Sequence, residues 1–390
     1  MRERAGFRAW ALLAASGVGL AIGARAGQAG DHDLATTSDQ NERPRAESIR
    51  AAVFQALPLL VKASADVYPK HRDCFSCHNQ AVPAVALGLA RQRGFAVDAG
   101  TLRAIAEHTE ADLNAALDDY RKGRGQPGGV IRAGYALWAL DAAGWAPDET
   151  TATVVHYLAV VPGQRDHWMG QSNRPPSESS DFTATALALR GLQAFGTASP
   201  TATLKAHDPR GSADRSQVGT GTTWRARALH WLNQTKPRET EDRVFRLWGL
   251  KHAGASSRDL ATAVDDLLRT QRPDGGWSQL DDSPVPPKAK DDKGRGTPPT
   301  AHSSDAYGTG SALVALHLAG GVATDLPAYR RGLDFLIRSQ RDDGSWFVKS
   351  RSHPFQTYFE SGFPHGPDQF ISAAASGWAV AALALACPSP

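Results

Sequence analysis

The chain runs to 390 residues and sets 43 basic side chains against 40 acidic ones, a formal net charge of +3. Residues 1–26 hold four arginines and one glutamate, so the remainder carries 39 of each sign. No basic surplus is left to hold a phosphate backbone, and nucleic acid is excluded as the expected partner.

The N-terminus is the first predicted element. Arg2, Arg4 and Arg8 form a basic start, and an apolar stretch runs from Ala9 to Ile22, interrupted by Gly17 and Gly19. Ala24-Arg25-Ala26 then offers a small-x-small cleavage site. This reads as a secretory signal peptide over residues 1–26, with an uncleaved anchor as the alternative. It predicts a periplasmic or secreted protein. Residues 27–47 are polar and without periodicity, and read as a disordered lead-in. A single domain is expected over residues 48–388.

An amphipathic helix over residues 47–63 leads to Cys74-Phe75-Ser76-Cys77-His78. Cys-x-x-Cys-His is the attachment signature of a c-type haem. Two thiols at this spacing add to the two vinyl groups of the porphyrin, and the adjacent histidine lies under the iron as proximal ligand. The signal is specific because only one further cysteine, Cys387, exists. The blander readings are a disulfide or redox pair, half a zinc site, or chance. A zinc site wants a second ligand pair, and none is visible. The signal peptide agrees with the haem reading, since c-type haem is attached outside the cytoplasm. The expected cofactor is therefore one covalent haem c, held by Cys74 and Cys77 with His78 on the iron, and the expected partner is a periplasmic electron donor or acceptor.

From here a short apolar helix ending in glycine recurs. It ends at Gly94, Gly144, Gly196, Gly254 and Gly321, and a sixth copy, GWAVAALALA, lies near the C-terminus. Each of the first five is followed by a short turn and a more amphipathic helix. Residues 257–271 carry Leu260, Val264, Leu267 and Leu268 on one stripe, and residues 327–340 carry Leu333, Leu336 and Ile337. Helices apolar on most sides are buried on most sides. Six such helices covered by six amphipathic ones predict an all-α ring, an α/α toroid of six helical hairpins around a central cavity. An open solenoid is the alternative.

Two outer helices end in LLRTQRPDGGW (residues 267–277) and FLIRSQRDDGSW (residues 335–346). This resembles the QW repeat of the squalene–hopene cyclase and prenyltransferase β-subunit superfamily, and Trp168 and Gln234 resemble decayed copies. The resemblance implies the toroid, with glutamine and tryptophan tying an outer helix end to the neighbouring hairpin. It also implies where acid chemistry would lie. Squalene–hopene cyclases protonate an alkene with an Asp-x-Asp-Asp cluster at an inner-helix start. The matching places here are Ser179-Ser180-Asp181 and Ser303-Ser304-Asp305, each with one aspartate. Asp181 and Asp305 are thus weak catalytic candidates, with helix N-capping as the plainer role. Prenyltransferases bind zinc through Asp, Cys and His, and no cysteine lies near either aspartate.

The long connections 163–181, 278–305 and 347–375 are expected at one mouth of the ring, with the haem motif. They contain the candidates for the iron's sixth ligand: Met169, His302, His353 and His365. An open position is the alternative. Tyr135, Trp138, Trp248, Tyr307 and Trp378 lie on inner helices. They read either as core packing or as the lining of a cavity for a hydrophobic ligand, an isoprenoid or quinone. The expected function is a periplasmic monohaem c-type protein with a redox or electron-transfer role on a cyclase-like toroid. The alternatives are a cyclase- or transferase-like enzyme and a non-catalytic isoprenoid-binding protein.

Overall fold

A computed structural model describes residues 34–163, 165–196, 221–280, 303–353 and 357–389. The chain divides into two units, residues 1–44 and 45–390. The signal-peptide segment 1–26 lies outside the described residues. Of the first unit, residues 34–44 are described and are helical. The polar stretch expected to lack structure is thus helical from Leu34, within α1 (Leu34–Val61). A helix once nucleated extends at one hydrogen bond per residue, and absent apolar periodicity does not forbid it.

Among its described residues, the regular elements of the second unit are helices, apart from a two-residue antiparallel ladder, β1 (Trp277–Ser278) on β2 (Ser304–Asp305), and an isolated bridge between Arg174 and Glu178. Six helices form the inner ring: α3 (Val82–Gln92), α6 (Gly129–Ala142), α8 (Asp181–Phe195), α10 (Thr240–Ala253), α12 (Ala306–Leu318) and α14 (Gln369–Leu385). Each packs on the next, and α14 packs on α3, so the ring closes. That closure excludes the open solenoid. The seam is tight because small residues face it. A Cβ on Gly310 of α12 would come within 2.6 Å of the Trp378 backbone on α14. The run Gly366–Leu385 is apolar enough to cross a membrane and is 94% buried within the ring.

The outer layer is α4 (Ala99–Asn114), α7 (Glu149–Val160), α9 (Gly221–Gln234), α11 (Ser257–Leu268) and α13 (Pro327–Ser339), with α1. α4, α7, α9, α11 and α13 each pack on two neighbouring inner helices. The amphipathic pattern accounts for this, since Leu267, Leu333 and Leu336 are buried while the charged faces are not. Two short helices, α2 (Tyr68–His71) and α5 (Leu117–Arg121), lie in connections. Gly94, Gly144, Gly254 and Gly321 end their helices with positive φ; Gly196, at φ −70°, does not. The short turn expected after Gly196 falls in residues 197–220, which lie outside the described residues; the next described helix, α9, begins at Gly221.

Candidate functional site

The haem-type motif opens the first inner helix. Ser76 caps a π-helical turn, Cys77–Ala81, that runs into α3; its hydroxyl accepts from Asn79 N at 3.1 Å. A second π-helical turn, Lys62–Val67, precedes it. Such turns relieve a helix where a site needs a different register. The two are stapled together: Asn79 Nδ2 donates to Ala63 O at 3.1 Å, and Gln80 Nε2 reaches Ser64 O at 3.3 Å and His108 Nδ1 at 3.0 Å. The turn that follows the motif is therefore held by two fully buried side chains, Asn79 and Gln80.

Both nitrogens of His78 are engaged by residues a hundred positions away. Nε2 lies 2.7 Å from Ser177 Oγ, and Nδ1 lies 3.2 Å from Glu178 Oε1. Glu178 belongs to a tight loop in which Arg174 and Glu178 exchange backbone hydrogen bonds at 3.4 and 3.0 Å. Its carboxylate is also paired with the Arg174 guanidinium. Burial pushes the Glu178 carboxyl up, but His78 and Arg174 outweigh burial and hold it below the usual carboxylate range. Burial, with the Glu178 carboxylate next, pushes the Cys77 thiol up. Cys74 is half-buried, its sulfur 3.7 Å from Tyr68 Oη.

The donor types are those a c-type haem uses, two thiols and a histidine, but their surroundings as folded do not admit the group. Both thiols are free, and a histidine that donates from Nδ1 to a buried carboxylate presents Nε2 to a metal in the arrangement metal-bound histidines usually show. The position in front of Nε2 is taken by Ser177 Oγ at 2.7 Å, so the residues as folded leave iron no coordination position there.

The other ligand candidates are scattered. Met169 is 45% exposed, and its neighbour Gly170 donates from N to Asp181 Oδ1 at 2.8 Å. His365 Nε2 is bound to Ser345 Oγ at 2.7 Å, between the rings of Phe347 and Phe363. Burial and the Arg341 guanidinium push the His365 ring down in pKa. His353 follows Ser352, whose hydroxyl donates to Pro175 O at 3.0 Å, two residues from Ser177. Of the candidates described, His353 has a neighbour bonded to the loop that faces His78, and Met169 lies in the same connection as that loop. His302 lies outside the described residues.

The two aspartates part ways. Asp305 caps α12, accepting from Gly308 N at 2.8 Å, and Gln279 Nε2 donates to its other oxygen at 2.8 Å. Burial pushes it up to about 6, against those hydrogen bonds. Asp181 is not a cap: Ser180 caps α8, and Asp181 takes the first helical position and fastens Gly170. Ser180 has the shorter side chain, which reaches the N–H of Phe182 at 3.1 Å.

The acids that sequence reasoning missed lie at the start of α10. Glu239-Thr240-Glu241-Asp242 puts Glu241 and Asp242 in the buried interior, each 2% exposed. Thr183 Oγ1 and Tyr307 Oη donate to Glu241 at 3.1 and 3.2 Å, and Ser180 Oγ donates to Asp242 at 2.5 Å. Burial first, then Glu239, push Glu241 well above the usual carboxylate range. Arg351 from the last mouth loop closes over this region, pairing with Glu239 at 3.0 Å. The signal was an acid-x-acid-acid run just before an apolar helix.

Among the described residues, aromatic rings of the inner helices meet across part of the space where the central cavity is expected. Trp138 packs on Trp248 at 5.5 Å and on Trp378 at 5.7 Å, and Tyr135 on Phe245 at 6.4 Å, so the inner rings fill the space between the helices. Glu241, Tyr307, Thr240, Gln279, Ser311 and Pro176 line a small cleft with no space the size of a water molecule. Large side chains at inward positions serve as core here, the plainer of the two readings.

The outer anchors complete the frame. Gln271 Nε2 donates to Gly275 O at 2.8 Å and to Ala328 O at 2.7 Å, and Gln340 Nε2 to Gly344 O at 3.0 Å and Ala52 O at 2.8 Å. Each glutamine thus ties its helix end to the next outer helix, α11 to α13 and α13 to α1. Trp168 keeps the tryptophan of this arrangement with Pro162 in the glutamine's place. Gln234 is followed six residues later by Thr240 and has no such tryptophan.

Fold and anchors together define an α/α toroid of the terpene-cyclase kind. Residues 242–367 match the family described as squalene-hopene cyclase C-terminal domain. The apo type II terpene cyclase MstE from Scytonema is similar at 13% identity, over 88% of this chain and 99% of that one, with a TM-score of 0.50. An apo variant of the same cyclase gives 13% identity, 89% and 99% coverage and a TM-score of 0.51. A glycosidase is similar at 12% identity, over 88% and 98%, with a TM-score of 0.50. At such identities the likeness bears on the fold alone.

Proposed function

We propose that this protein is a covalent haem c protein built on a cyclase-like toroid, with Cys74 and Cys77 holding the porphyrin, His78 on the iron, and a redox or electron-transfer role. The observation that carries this is the contact between His78 Nδ1 and the buried Glu178 carboxylate beside two free thiols. A bound haem would supply a one-electron iron couple. The chain's own residues supply attachment, the orientation of the imidazole, and a motif at the ring's mouth within reach of a periplasmic donor or acceptor. The test is a pyridine haemochrome spectrum on protein made with a haem c maturation system. The spectrum of a haem with two saturated vinyl positions is expected; protein without haem sinks the proposal.

A second reading is acid chemistry on a hydrophobic ligand, and the family match and the fold likeness support it more directly than the first. Its specific observation is Glu241, a buried carboxyl pushed far up, hydrogen-bonded by Tyr307 and Thr183, in a run with the acid spacing of Asp-x-Asp-Asp. The packed interior speaks against it, because a polyprene needs the aromatic rings to part. Incubation of haem-free protein with polyprene substrates tests it. Cyclised product that disappears in Glu241→Gln supports it, and absence of product rejects it.

A further inference from the structure

We infer that the C-terminal ends of α6, α8 and α10 form a binding site for an oxyanion of the monophosphate class, a site independent of both functional readings above. It lies at the opposite end of α10 from Glu241. Three buried nitrogens there have no hydrogen-bond partner among the described residues: Arg190 Nη1 on α8, and Trp248 Nε1 and His252 Nε2 on α10. Buried polar groups are almost always paired, so three exceptions in one place ask for a common partner. They do share one patch. Arg190 and Gln193 stand a turn apart on α8, and Trp248 and His252 a turn apart on α10. Gln193 Oε1 and His252 Nδ1, 2.6 Å apart, join the two helices. The rings of Trp248 and His252 stack at 5.6 Å, and Trp248 and the Arg190 guanidinium both pack on Trp138 of α6, at 5.5 and 4.7 Å. Asp141 accepts from Arg190 Nη2 at 2.6 Å, which aims the guanidinium and leaves Nη1 over. Arg190 and His252 are partly exposed and Gln193 is exposed, so the patch lies one turn in from the surface.

The class of ligand follows from the donors and acceptors. Gln193 presents an oxygen, so the hydrogen between it and His252 sits on Nδ1. Burial first, then the charge of Arg190, with Lys251 and Arg225 behind it, push the His252 ring down to about 3. The ring is therefore neutral, and its Nε2 accepts. Guanidinium and indole, in contrast, can only donate. The patch thus offers two donors and one acceptor beside a positive charge. A carboxylate or sulfate brings acceptors alone and leaves His252 Nε2 without a hydrogen. A monophosphate brings charged oxygens for Arg190 and Trp248 and a hydroxyl for His252, and guanidinium geometry suits phosphate oxygens. The negative ends of the helix dipoles account for cations at this end of the ring, but not for nitrogens without partners.

The experiment is calorimetric titration of the full chain, near neutral pH, with inorganic phosphate, glycerol phosphate, sulfate and acetate. The indole N–H of Trp248 is followed in parallel by NMR. A phosphate is expected to bind and to shift the Trp248 resonance, and sulfate and acetate to bind more weakly. Tighter binding of inorganic phosphate identifies the free ion as occupant, and tighter binding of glycerol phosphate identifies a phosphate ester. Trp248→Phe keeps an aromatic ring and removes its N–H. It and Arg190→Met are each expected to weaken phosphate binding about tenfold. Wild type that binds neither phosphate overturns the inference, and so does binding unchanged in Trp248→Phe. Sulfate bound as tightly as phosphate overturns it too, because His252 would then receive no hydrogen. If Arg190→Met fails to fold, Trp248→Phe decides. None of these outcomes depends on whether the chain carries haem.

Discussion

Trp168 Nε1 donates to the carbonyl of Leu158, ten residues upstream, at 2.8 Å. Trp277 makes the same step to Leu267 at 2.9 Å, and Trp346 makes it to Leu336 at 2.8 Å. The backbone N–H of each also meets a hydroxyl on an inner helix: Thr185 at 3.2 Å, Thr309 at 2.9 Å and Ser376 at 3.0 Å. Trp168 is therefore a third working anchor.

All three indoles are buried to 2% exposure or less, so each fills a site that nothing else fills. Trp168→Ala, Trp277→Ala and Trp346→Ala should each cost about 3–5 kcal/mol. Denaturant unfolding checks this. A neutral Trp168→Ala would show that loss of the glutamine at Pro162 has already released this anchor.

The ring's closure should be sensitive at its tightest seam. A methyl on Gly310 would meet Trp378 C at 2.6 Å and Ala379 N at 2.8 Å, and backbone cannot rotate away. Gly310→Ala should destabilise by about 1–3 kcal/mol through overpacking. Thermal unfolding at unchanged midpoint would mean the α12–α14 contact is looser than described.

Asp305 gives a pH prediction. Its folded-state pKa, about 6, stands above its ordinary 3.8, so the folded protein holds this proton more tightly than the unfolded chain. Its contribution to stability is fully present below pH 3.8, falls as pH rises to about 6, and is flat above. Asp305→Asn keeps the N-cap oxygen and removes the titration. The difference in melting temperature between wild type and Asp305→Asn should therefore shift against wild type across that window; a pH-independent difference would contradict the burial of this carboxyl.

The loop contacts rank the sixth-ligand candidates. Ser352 fastens its loop to Pro175, beside the Ser177 that faces His78, while His365 is spent on Ser345. If the haem iron is low-spin, His353→Ala should convert it to high-spin, and Met169→Ala and His365→Ala should not. A near-infrared sulfur-to-iron band lost in Met169→Ala would reverse that ranking.

The toroid was legible because its helices obey one rule: apolar all round inside, striped outside, as α12 and α11 show. The Gln271 and Gln340 anchors were legible because a tryptophan follows each at fixed distance. Glu178 and Ser177 were not, since they reach His78 through a loop whose course depends on ring closure rather than on any periodicity. Glu241 was hidden for a different reason: a buried acid just inside a helix start reads in sequence as an ordinary capping or dipole residue. The packed interior was also illegible, because inward aromatic rings look alike whether they line a cavity or fill it.

The central claim is that Cys74 and Cys77 carry a covalent haem under which His78 ligates iron. Acid–acetone extraction followed by a pyridine haemochrome spectrum, on wild type and on the Cys74→Ala, Cys77→Ala double variant made side by side with a haem c maturation system, tests it most directly. The account predicts one extraction-resistant haem per wild-type chain and none in the double variant. Wild-type protein that gives up all its haem to the solvent, or a double variant that retains it, would contradict the account.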